Sequence, residues 1–233
     1  MPTRVVLERG PKGKKFVAFA VDWPGWSRGS KTADGAVETL AAYRERYRPV
    51  TVQAGLGREF DDAGPLDVVE DRAGTGSTDY WGISFSASSF ELEPMDAAEL
   101  ERKITVLQAC WARFDDVAAR VSPEMRKGPR GGGRDRDTII RHTVRVESED
   151  HAKKVGLVIP EGGALEPGAL EPYRTAYLDA MRAYQRGEVK RAMRSWTLAF
   201  LVRHSAFHTM DHAWEMEDKD LSGAALSGEA GED

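Results

Sequence analysis

Apolar and polar positions change their rhythm twice along this chain, and each change marks a change of element. Residues 3–8 read as a short strand and 14–22 as a second, with Gly10, Pro11 and Gly13 in the turn between them. Pro24, Gly25 and Gly29 then interrupt the pattern. Thr32 suits the N-cap of a helix over 33–47, whose apolar side carries Val37, Leu40, Ala41 and Tyr43. Pro49 is expected to end that helix, and residues 50–54 to form a third strand. From Gly55 to Ser89 the chain is rich in Gly, Asp and Ser, with one strand expected at 66–70. The rest of that stretch reads as a connection in which Tyr80, Trp81, Phe85 and Phe90 cover a pocket or a domain seam.

Beyond Glu93 helix formers take over. Leu100, Ile104, Leu107, Trp111, Phe114 and Val117 recur at three- and four-residue spacing, which predicts a long amphipathic helix over 96–121 with one core-facing stripe. Further helices are expected at 138–154, capped by Asp137 and carrying Ile139, Ile140 and Val144, at 173–186, and at 194–219. Residues 221–233 are small, polar and acidic, a composition expected to stay disordered. The predicted fold class is α+β. A small β-β-α-β domain over 1–60 and a connection over 61–90 lead into a four-helix bundle over 91–220, followed by the tail.

Composition narrows the function classes. A net charge of −5 gives no general reason to expect nucleic acid or an anionic membrane as partner. Cys110 is the one cysteine, so no intramolecular disulfide and no all-cysteine zinc site can form. Mid-helix, with neither a base nor a helix N-terminus beside it, its thiol reads as a core side chain. The sequence has no apolar run of the roughly 18–20 residues that a membrane span needs. It opens without the apolar stretch of a secretory signal, and the cytoplasm is the expected location. The run from Ala73 to Thr78 is glycine-rich but lacks the lysine of a phosphate-binding loop.

The chemistry concentrates near the C-terminus. His204, His208 and His212 follow one another at four-residue intervals, which stacks them on one helix face. Two imidazoles at that spacing can hold one divalent ion, as in the HExxH helix, although the glutamate of that motif is absent. A third ligand must come from elsewhere, and only His142 and His151 remain. His151, among Glu149, Asp150 and Lys153, reads as exposed. Asp211 and Glu215 flank the stripe, each either orienting an imidazole or facing solvent. Arg126, Lys127, Arg130, Arg134 and Arg136 form a basic, glycine-rich loop, either simply solvated or an anion clamp.

Two resemblances add to this reading. The β–β–α–β order with Asp22-Trp23-Pro24-Gly25 before the helix resembles the small domain of the HicB-like antitoxin family over about 55 residues. No DNA-binding module accompanies it, so no nucleic-acid partner is implied. Residues 91–219 are similar to the DinB-like, or YfiT-like, superfamily of metal-dependent proteins. The likeness rests on the long helix, on the segment ending at His142, and on Trp196 upstream of Arg203-His204 with histidines at 208 and 212. It implies a divalent metal, zinc or nickel, held by His142, His208 and His212, with His204 supporting the site or packing. Where many relatives follow the last histidine with Arg-Gly-Gln, this chain has Ala213, Trp214 and Glu215. The implied activity is a thiol-dependent transferase or a hydrolase acting on a small molecule. A low-molecular-weight thiol such as mycothiol would lie near Arg130 and Arg134, and pairing into a homodimer is expected by analogy. The competing expectation is a non-catalytic binding or stress-associated scaffold in which the histidines only pack.

Overall fold

β1 (Thr3–Arg9) is a central strand, with Val5, Val6 and Leu7 all buried. It pairs antiparallel with β2 (Phe16–Ala20), Val5 opposite Ala20 and Arg9 opposite Phe16. β2 pairs antiparallel with β3 (Ser27–Ser30), so the Ser-Arg-Gly-Ser run expected to interrupt the pattern is itself a strand. The computed structural model describes residues 1–128, 131–189, 193 and 195–222, and over these the fold is mixed α+β. No helix among the described residues is long and apolar enough to cross a membrane.

Thr32 caps α1 (Ala33–Ala42) as expected, its side chain accepting from the Gly35 amide. The next element corrects the sequence reading. Pro49 does not end a helix, and 50–54 is not a strand, because both lie in or beside α2 (Arg44–Gln53). Val50 and Thr51 favour strands by themselves, but Tyr47, Val50 and Thr51 are buried at helical spacing. Tertiary packing outweighs local preference, and Pro49 removes one ladder bond. Tyr47 donates to the Pro24 carbonyl at 2.7 Å, and Trp26, stacked on Tyr47, donates to the Leu40 carbonyl at 2.9 Å. A short α3 (Gly57–Asp61) brings Phe60 into the same aromatic group.

β4 (Leu66–Ala73) returns parallel to β1 and completes the order β3-β2-β1-β4. The sheet therefore continues past residue 60 into the stretch expected to be a connection. After it come α4 (Gly76–Trp81) and α5 (Ser89–Leu92). Two buried carboxylates fasten this stretch. Glu8 of β1 accepts from Thr78 at 2.6 Å, Ser84 at 2.9 Å and Ser86 at 3.2 Å. Glu91 accepts from Arg203 at 2.5 Å and from the Ser88 amide at 2.8 Å, while the Arg203 guanidinium lies 3.9 Å from the Phe19 ring centre.

α6 (Ala97–Arg120) starts where Asp96 accepts from the Glu99 amide at 2.8 Å, and its expected stripe is buried throughout. Cys110 is buried within it, and burial pushes its thiol pKa up. α7 (Arg136–Arg145) continues into a π turn, Val146–His151, and a 3₁₀ turn, Ala152–Val155. α8 (Leu170–Gln185) and α9 (Leu198–Lys219) close the fold, and α9 packs along α6 and against α7 and α8. Trp26, Tyr47 and Phe60 belong to the same apolar core as Leu107, Phe114 and Trp214. At the far end of α9, Glu217 receives Arg46 of α2 at 3.0 Å together with Arg113 and Arg120 of α6. Most of the expected tail, 223–233, lies outside the described residues.

The Glu91–Arg203 pair is 5–6% exposed on both sides, so neutralising one partner leaves a buried, uncompensated charge. Glu91→Gln is expected to lower the stability measured by urea denaturation by roughly 3–5 kcal/mol.

Candidate metal centre

From Leu198 to Met216, α9 is buried except at His208, Asp211 and Glu215. These three lie three and four residues apart and form one solvent-reaching stripe. His212 sits beside it, one turn beyond His208, with ring centres 4.6 Å apart. α7 supplies His142, held there because Ile139, Thr143 and Val144 are buried. Its ring centre lies 5.2 Å from His208 and 5.0 Å from His212. One ligand nitrogen from each ring lies within 4.8 Å of the other two. Three imidazoles on a tetrahedral ion at ~2.0 Å stand about 3.3 Å apart, so small side-chain rotations close the set.

The surroundings suit ligands. His212 shares its Nδ1 with Glu215 at 2.7 Å, which leaves Nε2 for the centre. Glu215 also accepts from Lys219 at 2.6 Å and Arg134 at 3.3 Å. Burial pushes the Glu215 carboxyl up, but the bonds from His212 and Lys219 and the nearby positive charge hold it down at about 2. A charged Glu215 places the His212 proton on Nδ1. Burial, then the nearby His212 and Arg134, lowers His142 to about 4. Burial and the neighbouring imidazoles push His208 well below its ordinary value. Neutral imidazoles with free lone pairs are what a divalent ion requires.

The other expected residues divide. His204 is buried against Phe85, Trp196 and Phe200, with ring centres at 4.9, 5.2 and 5.3 Å, and its Nδ1 has no partner among the described residues. Its place is in packing. Asp211 neither orients a histidine nor stands free, since it pairs with Arg28 of β3 at 2.8 Å. Arg28 itself lies over Tyr43 at 4.0 Å and Trp214 at 4.2 Å. Arg134 reaches the centre through Glu215, and Arg130 lies outside the described residues. The basic loop is matched largely from within the chain. Lys127 pairs with Asp135, Arg136 with Asp137 at 2.8 Å, and Arg126 with the Asp218 carbonyl at 2.5 Å. Among the described residues of the loop, Lys127, Arg134 and Arg136 are thus paired with carboxylates of the chain itself.

His151 overturns its expectation. It is 4% exposed, with Nδ1 3.1 Å from Ser205 Oγ, which lies 3.0 Å from the Tyr177 hydroxyl. Its ring is 5.3 Å from His204 and 5.9 Å from His208, so all five histidines form one contiguous group. The cause is the π turn. Nine steps of ~100° along an α-helix would set His142 and His151 on opposite faces, and a wider turn removes part of that rotation. Burial, then Lys154, lowers His151 to about 3. Glu147 in the same turn was also hidden in a run of charges. It accepts from Trp111 at 2.8 Å and Tyr173 at 3.3 Å, and burial pushes it up to about 7 against those hydrogen bonds.

Compared with protein-family models, with curated proteins and with solved structures, the chain matches none. The centre is therefore read from its own geometry. Imidazole nitrogen suits zinc and nickel among divalent ions, and three such ligands leave coordination positions open.

Two outcomes follow. Glu215→Gln removes the charge that orients His212 and is expected to weaken zinc binding about 10–100-fold in a competition titration against a chromogenic chelator. His151 and His142 titrate lower in the fold, at about 3 and about 4, than in the unfolded chain, where the value is near 6.5. Between those values the unfolded chain binds more protons. The stability they confer is whole above about pH 6.5 and is lost as the pH falls towards 4 and 3. Metal-free protein should give a lower urea midpoint at pH 5 than at pH 7.5, with a shallower dependence in His151→Gln.

Proposed function

We propose that this chain is a metal-dependent enzyme of the DinB-like class, a thiol-dependent transferase or a hydrolase acting on a small molecule. In this reading α6 to α9 are its four-helix bundle, and the sheet with α1 to α3 is a HicB-like companion. The carrying observation is the convergence of His142 with His208 and His212 from two separate helices, every ligand nitrogen within 4.8 Å of the others. A divalent ion bound there, zinc or nickel, would supply Lewis acidity and draw the pKa of a water or thiol towards neutrality.

The chain's own residues set the rest. His142, His208 and His212 hold the ligand nitrogens, and Glu215 keeps the His212 proton on Nδ1 and the ring in place. Against burial, the hydrogen bonds from His212 and Lys219, with Arg134 nearby, hold the Glu215 carboxyl well below its ordinary range. Phe200, Phe207 and Trp196, packed around His204, exclude water from the inner side. The stripe of His208, Asp211 and Glu215 leaves the outer side open for a substrate or for a cosubstrate thiol such as mycothiol.

Elemental analysis of protein prepared without a histidine tag tests the reading. About one equivalent of zinc or nickel is expected per chain, lost in His208→Ala while that variant keeps the far-UV spectrum of the parent. Metal-free protein whose melting temperature ignores both chelator and added zinc would return the histidines to packing alone.

A further inference from the structure

A second feature borders the open stripe of α9. On the side away from α7, a cleft of about 380 Å³ lies between β3, the end of α4 and α9. That volume falls within the range of small-molecule sites. Phe207 and Asp211 form its α9 wall, and Asp211 adjoins His212 in sequence and lies one turn from His208. The opposite wall carries Arg28, paired with Asp211 at 2.8 Å, and beside it Lys15 and Lys31, two cations beyond that ion pair. Arg28 is fixed by its sandwich between Tyr43 and Trp214, and its Nε has no hydrogen-bond partner among the described residues. Lys15 Nζ is steered by the Tyr80 carbonyl at 2.8 Å, and Lys31 is exposed.

The floor is backbone. A Cβ on Gly29 would come 2.5 Å from the Gly82 carbonyl oxygen, and Gly82 itself has φ +75° as the left-handed cap of α4. Glycine at both positions lets β3 and the end of α4 meet closely, so the charged groups stand at the rim of a shallow, shaped recess. Trp81, 66% exposed, offers an indole face beside them. In the basic loop that the sequence nominated, Lys127, Arg134 and Arg136 are each paired with a carboxylate, whereas this wall sets three cations against one carboxylate.

We propose that this cleft binds the anionic end of a small organic molecule, a carboxylate or a phosphate, and so presents the remainder of that molecule to the histidine centre. The inference rests on the metalloenzyme reading for its purpose, but not for the binding itself. Lysine and arginine attract such groups by charge, and Arg28 is held rigid enough to orient one. The apolar Trp81 and Phe207 suit a ligand whose other portion is not charged.

Nitrogen–proton correlation spectra of the full chain, with and without zinc, test this with succinate and inorganic phosphate as probes. Saturable shifts at the Gly29 and Gly82 amides and the Trp81 indole are expected from at least one probe, and which probe binds tells carboxylate from phosphate. The double variant Lys15→Glu/Lys31→Glu, changed at one half-buried and one exposed side chain, should keep the parent spectrum away from the cleft and bind at least ten-fold more weakly. Absence of saturable shifts with both probes overturns the proposal, as does binding that charge reversal leaves unaltered. Binding by a chain that takes up no zinc supports the anion site and removes only the metalloenzyme reading. Zinc uptake without anion binding does the reverse.

Discussion

Enclosure of α9 on nearly every side is the constraint from which the rest of the structure follows. A helix in that position cannot leave its polar groups to water, and burying one unpartnered is costly. Arg203 finds Glu91, Ser205 stands between His151 and Tyr177, and His212 finds Glu215. His142, His151, His204 and His208 meet the same demand because burial favours their neutral form, whose ring nitrogens can act as ligands. Desolvation and the neutrality of these rings are thus one property of this helix seen from two sides.

The same enclosure explains why the α/β half cannot be treated as an appendage. β3 supplies Arg28 to Asp211, α2 supplies Arg46 to Glu217, and α5 supplies Glu91 to Arg203. Each of these carboxylate–guanidinium contacts joins α9 to a different element of the first half. Between them the aromatic group around Trp26 and Tyr47 runs into the apolar face of α6 without a break. From the sheet, Arg28 of β3 reaches Asp211 and Phe19 of β2 lies under Arg203, so its side chains line one flank of α9.

Much of this was legible in the sequence, for reasons that differ from one element to the next. The stripe of α6 and the four-residue spacing of the α9 histidines are local periodicities, and both appear where the pattern placed them. The nitrogens of His142, His208 and His212 also meet where the histidine spacing and the family likeness had drawn attention. What could not be read was decided by contacts distant in the chain. Val50 and Thr51 look like a strand until Tyr47 and Phe60 are known to share their burial. Asp211 looked like a residue with solvent or a ligand for company, because its partner Arg28 is 183 positions away. His151 looked exposed because a run of charges was projected on an α-helix, whereas the π turn buries it together with Glu147 and Ser148.

That projection failed at a single turn, and the turn has a further consequence. A π turn is in effect one residue inserted into an α-helix. Deleting one position between 146 and 151 would let the ladder close with ordinary α geometry and leave α7 itself almost untouched. His151 would then stand eight α steps from His142, about 80° round the helix, the direction that the wide turn already gives it. Its ties to Ser205 and the α9 histidines would stay within reach, and it is the full-length segment wound as plain α-helix that would turn His151 away from them. In this chain the place of His151 among the five histidines is secured by how the backbone absorbs one surplus residue, not by the identity of a side chain in that turn.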